Sequence, residues 1–334
     1  MAKNDNLHKA KDAKNDEFYT RIEDVAEELR HYKKHFAGKV VLCNCDDPTW
    51  SAFWRYFHLN FAELGLKKLI STHYDRTEPT YKMEYEGGND NDVEVGVKTP
   101  LEGNGDFRNK ECLDLLDECD IVVTNPPFSL FREYVAVLMQ HQKKFLILGN
   151  MNALTYKEIF PLIRDNQLWY GASIHSGDRK FYVPNDYPLK ASGCGVDNNG
   201  QKFIRVKGVR WYTNLDYKAR HEKLVLWKNY TPEEYPKYDN YDAINVNKYS
   251  EIPCDYDGVM GVPITFIDYY CPEQFEIVAF RKGNDGKDLV FTRERESSTV
   301  LSYPCTTSIA GMIKNAEGKI NGKPTYARIT IRRK

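Results

Sequence analysis

The strongest constraint on the fold is the regular alternation of short apolar runs and helix-like segments in the first 150 residues. Buried strands are indicated by the runs KVVLCNC, KKLISTHY, DIVVTN and KFLILGN. Apolar residues at helical spacing lie between or before them, over 22–35, from Asp46 to Gly65, around 112–118 and over 129–142. Parallel strands need crossover connections of this kind, which are usually helices. The pattern therefore predicts an α/β fold with a doubly wound, mostly parallel sheet.

The texture of the chain changes after Asn150, which predicts a second region. The segments LWYGASI, RKFYVP and GVRWYTNL indicate further strands, whereas the later chain is rich in Tyr, Pro, Asn and Asp and lacks helical periodicity. We therefore expect a mobile tail over residues 1–15, a first domain over 16–215 and an irregular α+β region over 216–334. Residues 75–98 are polar and rich in Gly and Asn, and we expect them to form a loop or an excursion.

Charge balance and cysteine spacing narrow the class of protein. The chain has 47 basic and 48 acidic residues, a net charge of −1 that neither predicts nor excludes a polyanionic partner. Its eight cysteines show no C-x-x-C pair, so reduced thiols are expected rather than a zinc site. No apolar run approaches the length of a membrane span, and the N-terminal residues lack the apolar centre of a signal sequence. We expect a cytoplasmic protein with no metal and no membrane partner.

Polar residues after the predicted strands mark the place for a ligand, because open parallel sheets bind ligands at the carboxyl ends of their strands. Asn44, Asp46 and Asp47 follow the first strand, where the dinucleotide fingerprint G-x-G-x-x-G is absent. The phosphate loop G-x-x-x-x-G-K-[ST] is absent too, so nicotinamide, flavin and ATPase functions are disfavoured. The two carboxylates would suit a cationic ligand such as S-adenosylmethionine. Equally, they could cap the next helix.

Two further predicted turns carry an acid in a position suited to a nucleoside. In the segment GNGDF, Asp106 could hydrogen-bond an adenine amine while Phe107 stacks on the ring. A simple turn followed by a core phenylalanine is the alternative interpretation. Asp75 follows the second strand, where a ribose-binding acid often lies, but it could also be an ordinary turn residue.

The segment TNPPF, residues 124–128, ends the strand DIVVT with two consecutive prolines. Proline lacks an N–H donor, so the Asn125 side-chain oxygen and a neighbouring backbone carbonyl would be two acceptors at the strand end. Phe128 would add an aromatic face. Such a set suits a planar ring with an exocyclic amine: two acceptors favour a pyramidal nitrogen, whose lone pair can then attack a sulfonium methyl group. The alternative is a rigid Pro-Pro turn with a core phenylalanine.

Several segments of this sequence resemble a known family. TNPPF matches the pattern [DN]-P-P-[FY] of amino-methyltransferases, which protein-glutamine and some RNA-guanine methyltransferases share. NDEFYT (15–20), VLCNCDDP (41–48) and DYDGVMGVPITFIDYYCPEQFEI (255–277) resemble the EcoRI methyltransferase family of adenine-specific DNA methyltransferases. These segments are spread over nearly the full length of the chain.

The resemblance implies the Rossmann-like fold of S-adenosylmethionine-dependent methyltransferases, with the region after residue 215 recognising the target. It implies S-adenosylmethionine as methyl donor and double-stranded DNA as partner. A flipped adenine would be methylated on its 6-amino group, in a restriction-modification or orphan modification system, by a monomeric enzyme. The alternatives are an amine methyltransferase acting on RNA or protein glutamine, and a non-catalytic nucleic-acid-binding relative.

The resemblance also implies roles for particular residues. The target base would be held by Asn125, Pro126 and Phe128. The methyl donor would be held by Phe18, Tyr19, Thr20, Asn44, Asp46, Asp47, Asp75, Asp106 and Phe107. One departure from the broader methyltransferases is the absence of a Gly-rich F-x-G-x-G turn after the first strand, where this chain has CNCDDP.

Two basic segments, RVKGVR (205–210) and RITIRRK (328–334), are candidates for phosphate contacts. Each could equally be an exposed strand edge whose charges protect it from aggregation.

Overall fold

The computed structural model describes residues 19–75, 80–185, 187–189, 193–239, 242–281, 319–321 and 323–334. The chain divides into two compact units. The first combines the residues up to Ala153 with Tyr170–Tyr217, and the second combines Leu154–Trp169 with the residues from Lys218 onward. The assignment of residues 16–215 to catalysis and of 216–334 to target recognition remains a prediction.

The described residues between 40 and 213 form eleven strands. They are β1 (Val40–Cys43), β2 (Lys68–Thr72), β3 (Tyr81–Tyr85), β4 (Val97–Pro100), β5 (Ile121–Thr124), β6 (Lys144–Asn150), β7 (Trp169–Tyr170), β8 (Asp178–Tyr182), β9 (Gly195–Val196), β10 (Lys202–Lys207) and β11 (Val209–Thr213). Eight of them form one sheet in the order β4-β3-β2-β1-β5-β6-β11-β7, and the other three form a small sheet in the order β8-β10-β9.

The large sheet has a parallel centre, as the alternation of the sequence predicted. β2, β1, β5 and β6 are parallel neighbours, whereas β3, β4 and β11 pair antiparallel. The central strands are buried almost throughout because helices cover a parallel sheet, which explains their uninterrupted runs of Val, Leu and Ile. A mixed α/β fold with a mostly parallel central sheet is confirmed.

Five helices lie in the described residues of the first unit. They are α1 (Ile22–Leu29), α2 (Ala52–Leu59), α3 (Phe61–Leu64), α4 (Lys110–Glu118) and α5 (Phe131–Gln140). The helix expected from Asp46 begins only at Ala52, because a turn comes first and Ser51 accepts a hydrogen bond from the Trp54 backbone N–H. It also breaks into two pieces before Gly65, whose positive φ of 63° ends α3.

Of the two alternatives expected for residues 75–98, a loop or an excursion, the loop was wrong. β3 and β4 lie within or across this stretch and extend the sheet antiparallel beside β2. Tyr81 and Tyr85 are buried, while the intervening Lys82 and Glu84 form an ion pair with a 2.8 Å separation. Apolar and charged residues alternate along this strand, YKMEY, but its two charged side chains made the stretch resemble a loop.

The second unit is built mainly from short strands and irregular chain. Its described residues form α6 (Phe160–Arg164), β12 (Ile244–Asn245), β13 (Met260–Pro263), β14 (Phe275–Arg281), β15 (Lys319–Ile320), β16 (Lys323–Pro324) and β17 (Arg328–Arg333), with several 3-10 turns. Four strands form a sheet in the order β12-β13-β17-β14. Since β17 lies between two strands, the basic residues of RITIRRK do not protect a strand edge. In the described part of the chain, no helix is long and apolar enough to cross a membrane.

Candidate active site

The sheet order creates a switch point between β1 and β5. From β1 the chain crosses to β2 on one side, whereas β5 and β6 lie on the other side. Ligands of open α/β sheets bind at such a point, beyond the carboxyl ends of the strands. The turn at 44–47 follows β1 and the turn at 125–128 follows β5, so topology places the two predicted motifs at neighbouring strand ends.

Direct hydrogen bonds join these two strand ends. The Thr124 hydroxyl donates to the backbone carbonyl of Asn44, and the Tyr134 hydroxyl of α5 donates to the side-chain oxygen of Asn44. All three residues are buried. Asn44 was predicted to bind the methyl donor. Its side-chain oxygen instead accepts a hydrogen bond from Tyr134, and the residue links the turn at 44–47 to the segment that carries the Asn-Pro-Pro-Phe turn.

The turn at 44–47 has a glycine-like backbone at a position that is not glycine. Cys45 has a φ of +79°, a left-handed conformation that glycine normally supplies. A side chain in this region costs about 1–2 kcal/mol. The turn thus has the backbone conformation of a glycine turn although the position holds cysteine, and a search for glycines overlooks it.

Asp46 and Asp47 have different surroundings at this turn. Asp46 is buried and lies 3.5 Å from the Ser51 hydroxyl. Asp47 accepts hydrogen bonds from the backbone N–H and the hydroxyl of Thr49, at 2.8 and 2.7 Å. The cap of α2 is Ser51, so the interpretation of the two acids as caps of that helix was wrong.

Asp47 is also contacted from β3 and from the end of β2. The Tyr81 hydroxyl donates to its carboxylate at 2.8 Å, and the His73 Nε2 atom lies 3.6 Å from it. Burial raises the pKa of Asp47, but the hydrogen bonds from Thr49 and Tyr81, together with His73, outweigh it. The pKa lies below its ordinary value, so Asp47 is a carboxylate at neutral pH.

The turn after β4 packs tightly against the end of β2. The Asp75 backbone N–H donates to the Asn104 carbonyl at 3.1 Å. Gly105 has a φ of +73°, and a Cβ atom added there would lie 1.8 Å from the His73 carbonyl oxygen. Only glycine fits this approach, which brings the segments carrying Asp75 and Asp106 together.

Asp106 is engaged by a neighbouring cation. The Arg108 guanidinium donates to both of its carboxylate oxygens, at 2.9 and 2.6 Å, and also reaches Glu133 at 3.0 Å. The Arg108 hydrogen bonds hold the pKa of Asp106 below its ordinary value. Phe107 is buried and packs edge-on against Tyr134, with ring centroids 5.0 Å apart. That position fits the interpretation of Phe107 as a core residue, and its stacking on a ligand stays a prediction.

The N-terminal motif contributes two residues to the described structure, since Phe18 lies outside the described residues. Tyr19 pairs through its backbone with Tyr182 of β8, at 2.8 and 3.0 Å, and its ring lies 3.7 Å from that of Trp50. Thr20 is buried, and its hydroxyl has no hydrogen-bond partner among the described residues. Buried hydroxyl groups in proteins nearly always have a hydrogen-bond partner. A bound ligand could supply the partner of the Thr20 hydroxyl.

The Asn-Pro-Pro-Phe turn presents the residues predicted for the target base. Asn125 and Pro126 are buried directly after β5. The Pro127 carbonyl accepts from the Leu130 N–H at 2.9 Å and closes a 3-10 turn that begins at Phe128. Phe128 is partly exposed, whereas Phe131 at the start of α5 is buried. Phe131, not Phe128, therefore serves as the core phenylalanine of this segment.

Three side chains of the site were not predicted. Tyr134, Tyr81 and His73 contact Asn44 or Asp47 from elements far away in sequence. The sequence TNPPFSLFREY places a tyrosine nine residues beyond Asn125, but only helix geometry turns it back toward β1. Tyr81 had no signal because its strand was not recognised.

Comparison with known proteins matches nearly the whole chain. The family model described as "Adenine-specific methyltransferase EcoRI" matches residues 6–334. Type II methyltransferase M.EcoRI of Escherichia coli is 49% identical over 302 residues, covering 86% of this chain and 93% of that protein. Type II methyltransferase M.MpnI of Mycoplasma pneumoniae is 39% identical over 332 residues, and M.MgeORF184P of Mycoplasma genitalium is 38% identical over 333 residues. Both alignments cover 98% of each chain. No solved structure gives a significant match.

Proposed function

Since this chain belongs to the EcoRI family of adenine-specific methyltransferases, we propose that it moves a methyl group from S-adenosylmethionine to the 6-amino group of an adenine flipped out of double-stranded DNA. Sequence-specific methylation of DNA adenine is its activity as a member of this family. The observation that carries the assignment of the site is the pair of hydrogen bonds that join the end of β1 to β5 and α5 through Asn44.

The methyl donor would be held at the ends of β1 and β2. When bound, S-adenosylmethionine supplies a methyl group on a positively charged sulfur. The carboxylates of Asp46 and Asp47 would favour a cationic ligand, and the depressed pKa of Asp47 keeps it charged at neutral pH. The buried Thr20 hydroxyl would gain a partner. Asp75 and Asp106, on segments joined by a backbone hydrogen bond, would bind the nucleoside part.

The target amine would be held by the turn after β5. The Asn125 side-chain oxygen accepts one amine hydrogen, and a backbone carbonyl of the same turn accepts the other. Pro126 lacks an N–H, so it offers no donor that would compete for these acceptors. The partly exposed ring of Phe128 stacks on the base. Asn125 is neutral, so it would orient the amine without removing a proton before attack. As the nitrogen–methyl bond forms, the sulfur–methyl bond would break and leave a neutral thioether, and the methylated amine would then lose one proton to solvent.

The remaining features of the proposal concern partners. The second unit would recognise the target sequence, and the enzyme would act as a monomer in the cytoplasm, with or without a restriction enzyme as counterpart. Flipping a base out of a duplex costs a few kcal/mol, which phosphate contacts by lysine and arginine side chains would offset.

The proposal is tested by incubating the protein with radiolabelled S-adenosylmethionine and, separately, with duplex DNA, RNA and protein. We expect label in DNA as N6-methyladenine. Label in RNA or in protein glutamine alone would support the alternative amine methyltransferases and overturn the duplex substrate.

Asn125→Ala tests the assignment of the site. Because it removes one acceptor from the target amine, we expect methyl transfer to fall about 100-fold or more. Binding of S-adenosylmethionine, measured by calorimetry, should stay within about two-fold. Asn199→Ala, at an exposed turn between β9 and β10, is the matched control and should behave as the unaltered protein. Loss of S-adenosylmethionine binding by folded Asn125→Ala would contradict the role of this residue.

A further inference from the structure

Residues 223–229 of the second unit form a segment whose side chains alternate in exposure. Lys223, Val225, Trp227 and Asn229 are exposed, and the three residues between them are partly buried. Period-two alternation means that the chain is extended and that the four exposed side chains lie on one face. This face is called the 223–229 face below.

Hydrogen bonds at both ends hold the segment in place. The Gln274 side chain donates to the Leu224 carbonyl and accepts from the Leu224 N–H, both at 2.8 Å. At the other end, the Cys254 N–H donates to the Lys228 carbonyl at 2.8 Å, and the Tyr230 N–H donates to Asp255 at 2.7 Å. The segment is thus anchored to neighbouring chain of its own unit, and the 223–229 face is held on a fixed support.

The 223–229 face exposes more apolar surface than a solvated loop requires. Val225 is 84% exposed and Trp227 is 66% exposed. Leu224 and Leu226, on either side of Val225, are partly buried and point away from this face. Large apolar side chains side by side on a rigid surface are typical of a contact with another molecule.

The charge of the segment indicates the chemistry of that molecule. Residues 223–229 contain two lysines and no carboxylate. Lys223 lies on the same face as Trp227, and the Lys228 Nζ atom lies 5.7 Å from the centre of the Trp227 ring, although it also contacts Glu234 at 3.3 Å. The 223–229 face therefore carries groups suited to DNA. The lysine can contact a phosphate, the apolar side chains can contact base faces or thymine methyl groups, and the amide of Asn229 can contact base edges.

We infer that the 223–229 face docks on duplex DNA, with Lys223 against a phosphate and with Val225 and Trp227 against the bases in a groove. The inference rests on the proposed function, because duplex DNA is the substrate proposed there. A flat indole on a rigid segment can lie along a groove wall or insert between base pairs, and insertion would help to unstack a duplex in which one base must leave the helix.

Binding of a fluorescently labelled duplex that contains the methylation site tests the inference. We expect Trp227→Ala to weaken duplex binding at least ten-fold, with S-adenosylmethionine binding unchanged. Tyr326→Ala removes another exposed aromatic side chain of the same unit, 74% exposed, and should change duplex affinity less than two-fold. Equal losses in both variants, or no loss in Trp227→Ala, would overturn the inference.

Quenching of tryptophan fluorescence by acrylamide provides a second measurement that does not depend on affinity. The difference between the unaltered protein and Trp227→Phe isolates the signal of Trp227, and saturating duplex should protect it. Protection that appears without DNA as protein concentration rises would indicate a second copy of the chain on this face and would overturn the inference.

Failure of this inference is distinguishable from failure of the proposed function. If the unaltered protein does not methylate duplex DNA, the proposed function fails. If the unaltered protein methylates the duplex and Trp227→Ala binds and methylates it equally well, only the docking face is wrong.

Discussion

Substitution of Gly105 by alanine tests how the turn after β4 is held against β2. Two separate effects act at this position. The φ of +73° disfavours any side chain, and the added Cβ atom would meet the His73 carbonyl oxygen at 1.8 Å. Gly38 has nearly the same φ, +71°, but a Cβ atom there would meet nothing within 4 Å. Gly38→Ala therefore reports the backbone effect alone, and Gly105→Ala reports both.

The expected magnitudes follow from these distances. A left-handed alanine costs about 1–2 kcal/mol, which is the whole effect expected for Gly38→Ala. A carbon and a carbonyl oxygen approach to about 3.3 Å, so Gly105→Ala must move one of the two backbones by roughly 1.5 Å. Overpacking of this kind adds about 1–3 kcal/mol, for a total of about 2–5 kcal/mol.

Urea unfolding of both variants, followed by circular dichroism, measures the difference. The relevant transition is the unfolding of the first unit, which contains both glycines, because a chain of two compact units need not unfold in one step. Gly105→Ala should also weaken binding of S-adenosylmethionine, since it displaces the segments of Asp75 and Asp106, whereas Gly38→Ala should not. If the two variants lose the same stability to within about 0.5 kcal/mol, the close approach has no energetic weight and the reasoning is refuted.

Three further predictions concern the site and its substrate. Tyr81→Phe removes the hydrogen bond to Asp47 and should weaken S-adenosylmethionine binding about five-fold, with little change in kcat. If a titration shows that the variant binds S-adenosylmethionine as tightly as the unaltered protein, Tyr81 does not have this role. Arg108→Gln should raise the depressed pKa of Asp106. The stability that this pKa contributes is present above about pH 4 and is lost as pH falls through the folded-state pKa, so the difference in Tm from the unaltered protein should shrink between pH 7 and pH 3. Affinity for duplex DNA should fall steeply with salt despite the net charge of −1, and a flat response would argue against phosphate contacts.

The parts of the fold that could be predicted are those in which the local sequence carries the information. β1, β5 and β6 are buried on both faces, so their runs of apolar residues stand out from any neighbour. Asn125 could be singled out because two prolines after a buried strand are unusual and because the acceptors that a flat amine needs are few.

The parts that could not be predicted depend on contacts between distant residues. β3 lies near the edge of the sheet with Lys82 and Glu84 on one face, so its composition resembles that of a loop. Tyr81 and Tyr134 reach Asp47 and Asn44 across 34 and 90 positions of the chain. Cys45 adopts the left-handed conformation, which a cysteine in the sequence does not predict.

The division of the chain has a consequence for how this enzyme can be taken apart. The polypeptide passes between the two units after Ala153, Trp169 and Tyr217, so the second unit is assembled from two separate pieces of chain. Within it, the Phe160 ring of the first piece packs 5.5 Å from that of Phe280 in the second. A truncation after Tyr217 would thus leave Phe160 without this partner. Exchange of the second unit between relatives has to replace both pieces together, because a C-terminal graft alone would join halves of two different cores.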